Sequence, residues 1–159
     1  MRIVVLGLGS VLMRDDGIGV HLVRALSRDY DFASTVEIID GGTSGMELLP
    51  ELSGCDHLIV IDAVRANLAP AEIICLRDEQ VPAFFKTKFS PHQAGLPDML
   101  AALAFQGSVP HHVVLLGIQP EDLSSGMQLS ECLTNRFDTL LDAVLHELSN
   151  CGIAPLSRA

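Results

Sequence analysis

The opening segment MRIVVLGLGSVLMRDDGIGV (residues 1–20) decides the fold class. Its first part, Met1 to Leu6, is apolar and rich in β-branched side chains, which predicts a strand buried on both faces. That strand ends at the turn Gly7-Leu8-Gly9. From Asp16 to Arg28 the apolar residues recur at helical spacing, and Asp15 or Asp16 is placed to cap the helix. A buried strand followed by a helix is typical of an α/β protein.

The same alternation continues along the chain. Further strands are predicted at residues 35–39, 57–61, 71–76 and 112–118, and further helices at residues 45–52, 96–105 and 130–148. Strands that alternate with helices imply a mostly parallel sheet with helices on both faces. We therefore expect a three-layer α/β/α sandwich, formed by a single domain over residues 1–159.

One long connection interrupts this pattern. Residues 78–93 contain Pro82 and Pro91 and fit no regular element. A loop of this length in a compact domain more often has a function than serves only as a connection. It carries His92.

Composition excludes several classes of partner. Twenty acidic residues against ten basic ones give a net charge of −10, which disfavours nucleic acid and anionic membrane surfaces. The apolar opening segment is interrupted by glycines and has only Arg2 before it, so it does not resemble a signal peptide. Four widely spaced cysteines form no C-x-x-C pair and are expected to be reduced structural thiols: Cys55, Cys75, Cys132 and Cys151. We expect a cytoplasmic protein with a protein or small-molecule partner.

Polar residues follow the predicted strands. Asp15-Asp16 comes after the first strand, Asp40-Gly41-Gly42-Thr43 after the second, and Asp62 after the third. Ligands of open α/β sheets bind beyond the carboxyl ends of the strands, so these residues are candidates for a site.

A dinucleotide site is the first hypothesis. Gly7 and Gly9 follow the first strand as in the dinucleotide-binding fingerprint, but Leu12 stands where the third glycine belongs. Two adjacent carboxylates, Asp15 and Asp16, would also repel a pyrophosphate. We therefore expect no resident organic cofactor.

A metal site is the second hypothesis. Asp16, Asp62 and His92 belong to segments expected at the same edge of the sheet. Two carboxylates and one imidazole suit zinc or another first-row divalent ion. Spacing alone does not separate this hypothesis from a structural role, because an aspartate near a helix start is often a cap.

Other chemistry-bearing residues have simpler interpretations. The sequence has no G-x-S-x-G elbow, and no cysteine lies beside His92, so a conventional nucleophile is unsupported. Asp40 is expected to organise the glycine turn that follows it. Met46 and Met127 are predicted to be packing residues.

Taken in order, six segments carry a family resemblance. They are IVVLGLGSVLMRDDGIGV, IIDGGTSGMELL, DHLIVIDAV, LRDEQVPAFF with SPHQAGLPDMLAAL, and VVLLGIQP. In order and spacing they resemble the nickel-iron hydrogenase maturation endopeptidases. The resemblance covers almost the whole chain.

The resemblance implies a fold, an activity and a site. The fold would be a five-stranded mixed sheet with one antiparallel strand, for which residues 71–76 are the candidate. The activity would be removal of the C-terminal extension from a nickel-iron hydrogenase large-subunit precursor after nickel insertion. The metal-binding residues of the family fall here on Asp16, Asp62 and His92. Nickel would be carried by the precursor. The loops at residues 41–45 and 78–93 flank the predicted site and are expected to bind the large subunit.

A rival interpretation uses the same three residues. A non-enzymatic chaperone would bind the nickel-loaded large subunit without cutting it. The two functions differ in turnover, since an enzyme processes many precursor molecules and a chaperone acts stoichiometrically.

Overall fold

The computed structural model describes residues 1–86 and 95–158. The strands are β1 (Ile3–Leu8), β2 (Tyr30–Asp31), β3 (Val36–Gly42), β4 (His57–Ala63), β5 (Ile73–Arg77), β6 (His112–Ile118) and β7 (Leu156–Ser157). The helices are α1 (Ile18–Asp29), α2 (Leu49–Leu52), α3 (Gln80–Lys86), α4 (Leu96–Phe105) and α5 (Glu131–Asn150). Short 3₁₀ turns at Arg14–Gly17 and Gly45–Leu48 lead into α1 and α2.

β1 lies near the middle of a five-stranded sheet whose order is β3-β1-β4-β6-β5. All six of its residues are buried, as expected of a strand covered by helices on both faces. β1 pairs in parallel with β3 and β4, and β4 pairs in parallel with β6. β5 pairs antiparallel with β6, so the sheet is mostly parallel with one antiparallel edge strand. β2 and β7 form a separate two-stranded ribbon.

Side-chain alternation along the strands divides the core between two faces. Ile3 and Val5 of β1 pack into one cluster with α1 and α5, while Val4 and Leu6 pack into the other with α4. Successive side chains of a strand point to opposite faces, so the apolar run in β1 supplies both clusters. The result is a three-layer α/β/α sandwich.

Two glycines allow α1 to approach the sheet closely. A Cβ on Gly19 would lie 2.2 Å from the carbonyl oxygen of Ile61, and one on Gly7 would lie 2.2 Å from that of Gly19. Only glycine fits at such an approach of helix and strand backbones. The first turn of α1 is therefore held directly over β1 and β4.

The predicted fold class is confirmed, including the antiparallel strand. The predicted bounds of α4 and β6 coincide with the observed ones. The prediction that residues 78–93 fit no regular element is wrong for Gln80–Lys86, which form α3, and the part at residues 87–93 lies outside the described residues. The ribbon of β2 and β7 is not predicted from the sequence. Across the two described ranges, no helix is long and apolar enough to span a membrane.

Candidate active site

The strand order creates a crevice at the carboxyl end of β1. The neighbours of β1 are β3 on one side and β4 on the other, so the connections leaving these strands diverge at this point. Open α/β sheets bind their ligands at such a switch in strand order. A pocket of about 520 Å³ lies here, and it is lined by both Asp16 and Asp62.

The rest of the pocket wall comes from three other segments. Leu8 and Gly9 contribute the end of β1 and the turn after it. Residues 42–47 contribute the loop after β3, which includes most of the predicted binding loop at residues 41–45. Gly95 and Met99 contribute the start of α4. The pocket thus collects segments that are distant in sequence.

The loop after β1 folds back on itself, and this holds Asp16 close to Gly9 and Ser10. Its Oδ2 accepts a hydrogen bond from the backbone N–H of Ser10 at 2.8 Å. Gly9 has a φ of +124°, and a Cβ there would lie 1.8 Å from the carbonyl oxygen of Asp16. Glycine is required at this position both for its φ and for the close approach. The carboxylate is therefore tied to the end of β1.

Asp62 lies near the end of β4 and has a strongly shifted pKa. Burial and the nearby carboxylate of Asp16 raise the pKa of Asp62 to about 8, while the N–H of Ala63 acts in the opposite direction. Burial and a neighbouring like charge both disfavour the ionised form. Without a cation the two carboxyls do not readily hold two negative charges near neutral pH. A cation entering the pocket would favour the ionised form of Asp62.

The third predicted site residue, His92, lies outside the described residues. Gly95, three residues after it in the sequence, lines the pocket together with Asp16 and Asp62. Over residues 1–86 and 95–158, no group of three or more histidine, cysteine, aspartate or glutamate side chains is arranged to hold a metal ion. The structure therefore brings two of the three predicted residues to one pocket.

Asp15 has a role that differs from the predicted helix cap. Its side chain is fully buried and accepts hydrogen bonds from the backbone N–H groups of Glu121, Asp122 and Ser130, at 2.9, 2.9 and 2.7 Å. The Ser130 hydroxyl donates a further one at 2.8 Å. Burial acts to raise the pKa of Asp15, but these hydrogen bonds outweigh it and the pKa is lowered. Asp15 thus fastens the loop that carries Asp16 to the segment before α5.

The helix cap prediction failed because Asp15 and Asp16 belong to a 3₁₀ turn that precedes α1, and the cap position is Gly17. A sequence pattern shows that a carboxylate precedes a helix. It does not show that a loop more than 100 residues away supplies the carboxylate's donors.

Two other predictions need correction. Met46 and Met127 are 43% and 67% exposed, so they are surface residues and not packing residues. Met46 lines the pocket that contains the two aspartates. Asp40 accepts a hydrogen bond from Arg24 of α1 at 2.9 Å, so its side chain links β3 to α1.

Fold and site together define an α/β protein with a two-carboxylate pocket at the switch point of its sheet. Comparison with known proteins narrows this class. The family model described as hydrogenase maturation protease matches residues 20–147. The chain is 44% identical to the hydrogenase 2 maturation protease of Escherichia coli K12 over 99% of its own length and 97% of that protein.

Solved structures agree with the sequence comparison. The hydrogenase maturating endopeptidase HybD from Escherichia coli matches with a TM-score of 0.93 at 44% identity, covering 99% of this chain and 98% of that one. A hydrogenase 2 maturation peptidase from a Thaumarchaeota archaeon matches with a TM-score of 0.71 at 28% identity, covering 93% and 98%. The chain belongs to the hydrogenase maturation protease family.

Proposed function

We propose that this protein is an endopeptidase that removes the C-terminal extension of a nickel-iron hydrogenase large-subunit precursor after nickel insertion. The nickel carried by the precursor is part of the substrate, and Asp16, Asp62 and His92 engage it. The reaction would take place in the cytoplasm.

The main support for this proposal is that Asp16 and Asp62 share a pocket in which the pKa of Asp62 is raised to about 8. Two neighbouring carboxyls in a pocket disfavour double ionisation, and carboxyls with such shifted pKa values are concentrated at functional sites. A divalent cation is the ligand that this pair suits, because carboxylate oxygens bind such ions. Family membership supplies the reaction.

The chemistry follows from where the cation would lie. Carboxylates that contact a metal held in the precursor would fix the precursor's C-terminal segment against the pocket, which lowers the cost of positioning the scissile bond. The metal can polarise the scissile carbonyl or lower the pKa of a water molecule. One of the two carboxylates would then accept a proton from the attacking water and return it to the leaving nitrogen. The water oxygen bonds to the carbonyl carbon as the C–N bond breaks, which leaves a new C-terminal carboxylate on the large subunit and releases the extension as a short peptide.

This arrangement makes proteolysis conditional on nickel insertion. A precursor without nickel lacks the group that the two carboxylates and the imidazole recognise. Its scissile bond would not be positioned, and it would not be cut. The enzyme would act as a check on metal insertion.

The test is incubation of the purified protein with nickel-loaded precursor at a molar ratio of about one to fifty, followed by intact mass. We expect every precursor molecule to lose one C-terminal peptide, since an enzyme turns over. Binding without any change in mass would overturn the proposal in favour of a maturation chaperone. Cleavage that stops at one precursor per protein molecule would contradict catalysis as well.

A further inference from the structure

Apolar side chains lie exposed beside the pocket. Leu12 and Met13 are 61% and 40% exposed, and both belong to the loop that connects β1 to Asp16. Met127, in the connection between β6 and α5, is 67% exposed. Large apolar side chains that cluster on a surface mark sites of interaction more often than isolated ones do.

Backbone hydrogen bonds hold these side chains in one place. Met13 forms a parallel bridge with Gly126. The N–H of Arg14 donates to the carbonyl of Gly126 at 2.9 Å, and the N–H of Gly126 donates to the carbonyl of Leu12 at 2.9 Å. These bonds hold the segment that carries Leu12 and Met13 beside the segment that carries Met127, and we call the three exposed side chains together the apolar ledge.

Two anchors make the ledge rigid. The guanidinium of Arg14 donates to the carbonyl of Gln128 at 3.0 Å and forms an ion pair with Asp122. Asp15 joins the same two segments through its four hydrogen bonds. Because these bonds fix the backbone of both segments, little backbone entropy is lost when a partner binds, and more of the burial energy of the apolar side chains contributes to affinity.

The ledge is continuous with the pocket and with a groove beyond it. Asp16, which lines the pocket, donates its backbone N–H to the carbonyl of Met13 at 3.1 Å. On the other side, Met127 lines an open groove of about 490 Å³ between α1 and α5, together with Ala25 and Phe137. A chain whose end enters the pocket would have its body beside this surface.

We infer that the apolar ledge is the docking surface for the hydrogenase large-subunit precursor, outside the pocket that receives the scissile bond. The inference rests on the proposed function, since it names where that substrate is held. With a net charge of −10, this protein does not attract an acidic or neutral partner by overall charge. Apolar contact is independent of charge and can hold such a partner. Methionine side chains adapt to the shape of a partner surface.

The test compares two double variants. Leu12→Ser with Met127→Ser removes the two most exposed side chains of the ledge, and Phe105→Ser with Leu156→Ser removes apolar side chains that are 95% and 69% exposed elsewhere. All four positions are on the surface, so both proteins should fold, which circular dichroism checks. For nickel-loaded precursor we expect the ledge variant to raise KM and the dissociation constant by about tenfold or more, with kcat within about twofold. The control should match the wild type.

Each other outcome has a definite meaning. An unchanged KM, or a fall in kcat alone, would overturn the docking surface while leaving the endopeptidase intact. Loss of a dimer in light scattering, with precursor binding unchanged, would assign the ledge to a second copy of this chain and overturn the inference. If the wild type cuts no precursor, the proposed function fails. In that case the docking surface is tested by binding of the nickel-loaded precursor alone. Weaker binding by the ledge variant than by the wild type supports the docking surface, and equal or absent binding overturns it.

Discussion

Asp62 lies in an environment that differs strongly from that of a surface aspartate. Its pKa of about 8 reflects burial first and the carboxylate of Asp16 second. These two residues and His92 are proposed to engage the nickel of the precursor, and each would then contribute a contact that positions the scissile bond.

Removing one of these contacts should abolish processing without unfolding the protein. We expect Asp62→Asn and His92→Ala to lower kcat/KM for the nickel-loaded precursor by about 10²- to 10⁴-fold, the usual range for loss of one catalytic group. Asp138→Asn, at an exposed position on α5, is the matched control. Normal cleavage by a folded His92→Ala protein would count heavily against the site.

His57 gives the fold a dependence on pH at the opposite end of the sheet. Its ring stacks on that of His112 with centroids 4.9 Å apart. Burial and then the proximity of His112 lower the pKa of His57 below 6.5. His57 therefore binds more protons in the unfolded chain than in the folded one just below pH 6.5, so its contribution to stability falls as the pH drops through that window. The raised pKa of Asp62 acts in the opposite sense over the same window, because there the folded chain binds the extra proton.

Replacing His57 should remove this contribution. As the pH falls from 7 to 5, we expect the midpoint of urea unfolding for His57→Phe to fall less, or to rise more, than that of the wild type, because phenylalanine keeps the stacking and cannot be protonated. His57→Gln should change the slope in the same direction, although it loses the stacking. Slopes equal to that of the wild type in both variants would show that His57 does not carry the effect.

At the scale of elements, Asp15 joins the turn before α1 to the segment before α5. In Asp15→Asn the side-chain amide presents one oxygen and one NH₂ group to the four hydrogen-bond donors that the carboxylate accepts from. At least one donor therefore loses its acceptor, and the negative charge is lost. We expect a loss of about 2–4 kcal/mol in the free energy of unfolding by urea, typical of a broken buried network. Asp31→Asn, which breaks an exposed ion pair with Arg158, should cost less than about 1 kcal/mol. Equal losses in the two variants would contradict the role of Asp15.

Elements with clean periodicity were predictable from the sequence, and those shaped by tertiary contacts were not. β6 and α4 have an uninterrupted pattern, and their bounds were predicted correctly. α3 was missed because Pro82 argued against a helix, yet proline is tolerated in a first turn, where the N–H needs no intrahelical partner. The approach of α1 to the sheet depends on Gly7 and Gly19 meeting across two elements, which spacing along one chain does not show.

At the scale of the molecule, the order of strands explains why a site exists where it does. The sequence predicted that Asp16 and Asp62 follow strands, and the structure adds that their strands are neighbours. That step needed the strand order, because parallel strands close in sequence are not always paired in space. The pocket walls and the apolar ledge come from segments that only the folded chain brings together.

The proposed function depends on recognition of the nickel that the precursor carries. This recognition is tested by following the mass of the large-subunit precursor, with and without nickel, during incubation with catalytic amounts of the protein. We expect the nickel-loaded form to lose its C-terminal extension and the nickel-free form to keep it. Equal cleavage of both forms would show that nickel is not the group recognised.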